Sequence, residues 1–306
     1  MRNWAMFWLL GLVWGSSFLL IKVAVEDFGP LPLVSVRIGL AALFMAIFLA
    51  LTGRRLPAGR RERRALVFVG VMNTAVPFTL ITWGEQTIDS GLATVLNATV
   101  PLWTLIFAHV ALADERISAP KLVGLLVGFA GVALLASRNG SAGSDNPLFG
   151  QLAVLVASAC YAISAVVIRR YLRGVEPLTI AGVSLIVGAI AVIAVTLVAA
   201  RPLPAWDALS ATTLAAALTL ALLNTVFAYF LFYHLIDIWG ATRTTLVTYV
   251  MPPVGVTLGW LLLDEPIDWK IVVGAALILG GIVAVNWRRT PVRAAPVRGA
   301  ATPGSD

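Results

Sequence analysis

The sequence predicts an all-α integral membrane protein with ten transmembrane helices arranged as two inverted five-helix repeats. Three observations carry that prediction: the composition, the length of the apolar runs, and self-similarity at a near-constant offset. Of 306 residues, 59% are hydrophobic and only 12% are charged, against roughly 45–50% and about 25% in an ordinary soluble domain. Mean hydropathy is +0.92. A soluble fold of this composition would leave large apolar patches in water and aggregate, which argues against a soluble enzyme, a nucleic-acid binder or a disordered chain. The lipid bilayer is the first expected partner, and no nucleic acid is expected. The net charge of +7 is read as a sign of which loops face the cytoplasm. A single cysteine, Cys160, cannot form an internal disulfide. Two histidines with no Cys/His cluster offer no metal site of recognisable spacing, and no cofactor is expected.

A helix needs about 20 mostly apolar residues to cross roughly 30 Å of hydrocarbon. Ten segments meet that test: about 4–25, 33–52, 66–84, 92–112, 120–136, 150–168, 178–199, 212–235, 241–263 and 271–287. The segments at 120–136 and 271–287 sit at the short limit. The runs are too long and too continuously apolar for the alternating strands of a barrel. The first run is long, contains Trp14 and lacks a small-x-small cleavage site, so it reads as a retained span rather than a signal peptide.

Lys and Arg in short loops set orientation. With the N-terminus in the cytoplasm, that side holds Arg2, Arg54, Arg55, Arg60, Arg61, Arg63, Arg64, Arg116, Lys121, Arg169, Arg170, Arg173, Arg288, Arg289, Arg293 and Arg298, sixteen in all. The other side holds four: Lys22, Arg138, Arg201 and Lys270. Both termini are therefore expected in the cytoplasm. The tail over 288–306 is rich in Arg, Pro and Ala without apolar period, and reads as a disordered topology anchor.

The stretch L-A-D-E-R-I before K-L-V-G, around Asp114-Glu115, returns as L-L-D-E-P-I before K-I-V-V-G around Asp264-Glu265, at an offset of 150. Gly124 and Gly131 match Gly274 and Gly281 at the same offset. Asn73-Thr74 match Asn224-Thr225, and Pro101 matches Pro252, at 151; Trp14, Ser17 and Lys22 match Tyr161, Ser164 and Arg169 at 147. The expected organisation is a first repeat over 1–136, a linker over 137–149, a second repeat over 150–287 and the tail. An odd number of spans per repeat forces the two into opposite orientations, a signature of secondary transporters.

Trp14-Gly15-Ser16-Ser17-Phe18 in the first span, Ser90-Gly91-Leu92-Ala93 opening the fourth, Asn97-Ala98-Thr99-Val100-Pro101-Leu102 within it, and the Asp-Glu pairs closing the fourth and ninth resemble the EamA family of the drug/metabolite transporter superfamily. The resemblance covers roughly 4–287 and rests on the order of the motifs, the ten spans and the repeat together, each motif being short. It implies a ten-helix fold, a central cavity between the halves, and activity mainly as an exporter of amino acids, other metabolites or toxic compounds.

An unsatisfied polar group in hydrocarbon costs several kcal/mol, so mid-span polar residues need partners or a wet cavity. They cluster in the third span (Asn73, Thr74, Thr79, Thr82), the fourth (Thr94, Asn97, Thr99, Thr104), the eighth (Asn224, Thr225, Tyr229, Tyr233, His234) and the ninth (Thr242, Thr244, Thr245, Thr248, Tyr249). Spans 1, 3, 4, 6, 8 and 9 are expected to line a cavity, with 2, 5, 7 and 10 bracing them. Proline lacks the N–H that bonds the carbonyl four residues back. Pro77 thus frees the carbonyl of Asn73, Pro101 that of Asn97, and Pro252 and Pro253 those of Thr248 and Tyr249. Trp14 and Tyr161, with Ser17 and Ser164, occupy matching mid-span positions and offer aromatic faces for a planar or cationic group; Trp83 and Trp103 are weaker candidates. The expected substrate-binding set is Trp14, Ser17, Asn73, Asn97, Pro101, Tyr161, Ser164, Asn224, Tyr229, Thr248, Tyr249 and Pro252, with a small molecule as partner. Trp4, Trp206, Trp239, Trp269 and Trp287 sit at span ends as belt residues do.

Lys22 and Arg169 end spans and are expected to snorkel to the interface. Arg37 and Arg243 lie just inside spans; each is either a counter-ion for a substrate carboxylate or another snorkelling cation. Glu85 is expected to be a solvated loop carboxylate, His109 and His234 hydrogen-bonded structural groups, and the Asp-Glu pairs interfacial ion partners of Lys121 and Lys270. Gly11 with Gly15 and Gly124 with Gly128 form G-x-x-x-G pairs, which allow close packing within the subunit or across a homodimer. The leading reading is a secondary transporter exporting small amphipathic metabolites by alternating access. The rivals are an intramembrane enzyme, for which no nucleophile–base motif is visible, and a channel-like facilitator, for which no ring of charge is visible.

Overall fold

The computed structural model describes residues 1–54, 56–113, 115–137, 147–199 and 209–286. Among these residues the secondary structure is helical throughout, in ten successive spans. They are α1 Arg2–Phe28, α2 Pro30–Leu51, α3 Arg60–Gly84, α4 Ser90–Ala111, α5 Ala119–Ala136, α6 Leu148–Tyr171, α7 Pro177–Ala199, α8 Ala211–Trp239, α9 Thr245–Leu263 and α10 Trp269–Asn286. Nine of them are long and apolar enough to cross a membrane; α10 is at the short limit, as its sequence suggests. Asp114, Arg138, Arg201, Trp206, Trp287, most of the expected linker and the basic tail lie outside the described residues.

Helix direction alternates along the chain. The N-terminus, Glu115, Arg169 and the short turn Ala241–Thr244 share one face, here the near face; Glu85, Ser90 and Glu265 share the far face. Many side chains pointing away from the bundle are large and apolar, among them Leu43, Phe44, Ile47, Val198, Leu261 and Leu262, which suits contact with lipid tails. In that medium helices gain little from apolar burial, so close backbone approach at small residues carries the association. The structure shows it directly between α5 and α10. A methyl group added at Gly124 would lie 2.6 Å from the Gly281 carbonyl oxygen, and one at Gly131 2.7 Å from that of Gly274. Gly11 and Gly15 of α1 sit against Val250 and Val254, and Gly128 against Leu102. Both G-x-x-x-G pairs are thus occupied inside the subunit.

The proline breaks fall where the missing N–H groups require them. Before Pro77 the third span widens into a π turn over Val71–Ala75, with Val76 N–H reaching the Val71 carbonyl. The fourth span breaks between Asn97 and Val100, and the ninth opens with a 3₁₀ turn over Thr245–Tyr249 ahead of Pro252. A second π turn, Leu222–Phe227, occupies the Asn224-Thr225 region of α8 with no proline near it. π turns inside helices often mark functional positions.

Candidate functional site

A central cavity of about 380 Å³ lies between the two halves, within the usual range of small-molecule pockets. Of the residues expected there, Trp14, Ser17, Asn73, Asn97, Pro101, Tyr161, Asn224, Tyr229 and Thr248 line it. Three are placed elsewhere. Ser164 is buried and its hydroxyl donates to the Cys160 carbonyl of its own helix at 2.9 Å. Pro252 is buried in the first turn after the 3₁₀ segment. Tyr249 packs against the main apolar cluster. A matching position in the repeat is therefore not a matching role, because a helical residue's direction depends on the local turn as well as on its number.

The expectation that α2 only braces the bundle is corrected by Arg37. Its side chain reaches the cavity from α2 and is 7% exposed. Its Nε donates to Thr225 Oγ1 at 3.2 Å, and its guanidinium lies over the Phe78 ring, 4.5 Å from the centroid. A cation held this way cannot snorkel. An ionisable group facing the interior of a bundle is a functional candidate by default; its place one turn inside a span was the available signal. Thr225 is positioned by the π turn, its hydroxyl also donating to the Leu220 carbonyl at 2.8 Å. In the other half the equivalent contact joins Thr74 Oγ1 and Ser184 Oγ at 2.9 Å. A charged group stands on one side of the pseudo-symmetry and a hydroxyl on the other.

Asn224 fastens α8 to α1. Its Nδ2 donates to the Val13 carbonyl, to Ser16 Oγ at 3.1 Å and to Ser17 Oγ at 3.0 Å. The side-chain oxygens of Asn97 and Asn224 are buried and have no hydrogen-bond partner, and both residues line the cavity, so two acceptors at its wall have spare capacity. The apolar wall is aromatic: Trp14 packs on Phe232 at 5.0 Å between ring centroids, and Tyr229 on Tyr233 at 6.2 Å. One buried cation, two unused acceptors and aromatic walls suit a small molecule that is anionic at one point, a hydrogen-bond donor at another and apolar elsewhere. Trp103 stacks on Phe107 and Trp83 is exposed, so neither contributes to the lining.

The far end of the cavity is closed. Asp264 adopts the left-handed conformation (φ 54°) after α9, which Asp tolerates better than most residues. The chain turns back, and the Glu265 carboxylate accepts from the N–H groups of Ser90 (2.7 Å) and Gly91 (2.9 Å) at the start of α4. A carboxylate there satisfies two orphan donors and complements the helix dipole. Glu265 is thus a helix cap, not the interfacial partner of Lys270; Lys270 donates to the Ser137 carbonyl instead. Below the cap, Gly255 meets Thr94 and Gly91 meets Val256, so α4 and α9 are in close contact. Lys22 likewise does not snorkel: its ammonium donates to the carbonyls of Glu85 (2.7 Å) and Ile88 (3.0 Å). Glu85 is fully buried rather than solvated.

At the near face Glu115 does form the expected kind of ion pair, with Arg169 at 2.5 Å and Lys121 at 3.6 Å. His109 Nδ1 lies 3.1 Å from the Glu115 carbonyl, a structural contact. Arg243 is exposed and borders a separate apolar hollow with Trp4, Phe7, Trp239 and Leu246.

Comparison with known proteins follows the same outline. The model of the EamA-like transporter family matches twice, over residues 3–137 and 148–287. YedA, an uncharacterized inner membrane transporter of Escherichia coli (strain K12), is 31% identical over 94% of this chain and 92% of its own length. The uncharacterized transporter YoaV of Bacillus subtilis (strain 168) is 25% identical over 89% and 92%. A protein named a probable terminal-alkyne amino-acid exporter, from Streptantibioticus cattleyicolor, is 27% identical over 98% and 97%. One solved crystal structure superimposes with a TM-score of 0.62 at 17% identity, covering 94% of this chain and 96% of the other, and shares the fold.

Proposed function

The chain belongs to the EamA-like transporter family, a multi-pass membrane transporter, and from that premise we propose that it exports amino acids or closely related amphipathic metabolites by alternating access. The observation that carries the substrate class is the pairing of buried Arg37 with the unused Asn97 oxygen across an aromatic-walled cavity. Arg37 receives the substrate carboxylate, since a guanidinium binds that group through paired donors. Asn97 Oδ1 and the Asn73 side chain receive its ammonium or other donor. Trp14, Tyr161 and Tyr229 enclose the apolar remainder. The name of the Streptantibioticus relative, an amino-acid exporter, is consistent with this chemistry.

The near face is the cytoplasmic one, with both termini in the cytoplasm, a reading that the distribution of Lys and Arg supports; the inner-membrane relative of Escherichia coli supports a bacterial cytoplasmic membrane. With the far end capped by Glu265, the conformation described is the one that loads from the cytoplasm. Rocking of the two repeats would break that cap and close the near face around the substrate. The substrate-binding set is then Trp14, Ser17, Arg37, Asn73, Asn97, Tyr161, Asn224, Tyr229 and Thr248.

The test is mass spectrometry of the medium from cells overexpressing the wild type, Arg37→Gln or an empty vector under several nutrient loads. Accumulation of carboxylate-bearing metabolites with the wild type alone supports the reading. An unchanged medium would remove export, and accumulation of the same compounds by Arg37→Gln would remove the carboxylate contact.

A further inference from the structure

The most unusual group in the molecule lies outside the cavity. Glu85 follows the last turn of α3, its N–H donating to the Ile81 carbonyl at 2.9 Å. The residue is 0% exposed, and neither carboxylate oxygen has a hydrogen-bond partner. Ile81, one turn below, lines the far end of the cavity, and so does Ile21, the neighbour of Lys22. Glu85 therefore sits between the cavity and the seal formed by Glu265 on α4. The charged groups around it are Lys22 from α1, Arg37 from α2 and Glu265 beyond α9, with Asp89 buried in the same loop. Neither cation hydrogen-bonds the carboxylate. Lys22 places its ammonium on the carbonyls of residues 85 and 88, and Arg37 is held by Thr225 and Phe78.

We propose that Glu85 is a proton-binding site whose protonation is linked to closure of the far end. The far end is the outer gate in the exporter reading, and the proposal rests on that reading for this one point. A buried carboxylate with no hydrogen bond is costly in its charged form and far less so as the neutral acid. The sealed conformation thus favours the acid. When the Glu265 cap opens, water reaches Glu85, the anion regains hydration, and the proton is lost or taken up on that side. Binding of the proton and sealing of the far end are then linked, and each favours the other. The sign follows: lowering pH stabilises the sealed form, and raising pH through the titration of Glu85 favours opening. A proton captured from outside seals the far end.

Two measurements on full-length protein in nanodiscs test this without any substrate, so their failure is separate from failure of the export reading. The first is infrared titration. At neutral pH the wild type should show a carboxylic-acid C=O band that shifts in D2O. The band should vanish in Glu85→Gln and persist at altered frequency in Glu85→Asp. The second is hydrogen–deuterium exchange of the backbone over residues 84–96, corrected for intrinsic rates. Wild-type protection should fall about tenfold per unit of pH across the titration of the band, the limit for one linked proton. Glu85→Gln, locked as a neutral side chain, should stay protected throughout. A wild type without the acid band, or a band unchanged in Glu85→Gln, would overturn the assignment. Identical pH profiles for the two proteins would overturn the coupling.

Discussion

The two repeats are built from the same motifs, yet they differ at the cavity and at the helix ends. At the interface of α5 and α10 the symmetry holds: Gly124 and Gly131 meet Gly281 and Gly274 across near-equivalent contacts. At the cavity it fails. Thr225 meets the Arg37 guanidinium, whereas Thr74 meets the Ser184 hydroxyl. At the helix ends it fails again. Glu265 caps α4 on the far face, whereas Glu115 holds Arg169 and Lys121 on the near face. A bistable carrier needs two similar packings, so the scaffold stays symmetric. Under the proposed alternating access, one ligand needs directed chemistry, so the cavity and the helix ends do not.

The largest effect expected from breaking this comparison is at Arg37. Hydrogen bonds to charged groups are worth about 1.5–3 kcal/mol, so Arg37→Gln should lower export by roughly tenfold or more. Ser184→Ala, at the other end of the pseudo-symmetry, should stay within about threefold, the loss of a single hydroxyl pair being worth only ~0.6 kcal/mol in membrane helices. Initial efflux rates normalised to protein level decide it; equal losses would mean that both contacts are merely structural.

Where the halves are alike, paired substitutions should cost alike. Gly131→Ala and Gly281→Ala each push a methyl group into facing backbone and should each destabilise by about 1–3 kcal/mol, as over-packing does. Gly280→Ala, with open space around the added carbon, should be neutral or gain up to ~1 kcal/mol from helix propensity. Thermal unfolding in one detergent gives all three. If Gly280→Ala is as harmful as Gly281→Ala, the packing described for α10 is wrong.

The caps should separate next. Glu265→Gln should weaken the α4 cap by about 1 kcal/mol and raise hydrogen exchange over residues 89–93. Glu115→Gln should leave that segment unchanged. The smallest difference is expected between Ser17→Ala and Ser164→Ala, at equivalent repeat positions. Ser17 accepts from Asn224 across helices, while Ser164 bonds only within its own helix. Ser164→Ala should fall within roughly ±0.5 kcal/mol of wild type, with Ser17→Ala measurably lower in thermal stability.

Much of this was legible in the chain because the bilayer punishes exceptions. Span lengths, the repeat and the proline breaks near Asn73, Asn97 and Thr248 follow from apolar length, offset and missing N–H groups. Those features are local or periodic, and no partner is needed to state them. The π turn at Leu222–Phe227 carries no proline and so had no such marker. The roles of Arg37, Lys22, Glu85, Glu265 and Ser164 were not legible. Each is a polar residue whose energy depends on what stands opposite, and the opposite residue is far away in sequence. Arg37 is distinguished from a snorkelling cation by Thr225, 188 positions on. Glu265 is distinguished from a surface carboxylate by the backbone of Ser90 and Gly91. The sequence by itself determined that this is a ten-span membrane protein of two repeats with polar residues near mid-membrane. Only the tertiary structure decided which of those residues share a cavity, which close its far end and which turn away, because in a low-dielectric interior the nearest partner sets whether a polar group is a binding site, a seal or a simple helix contact.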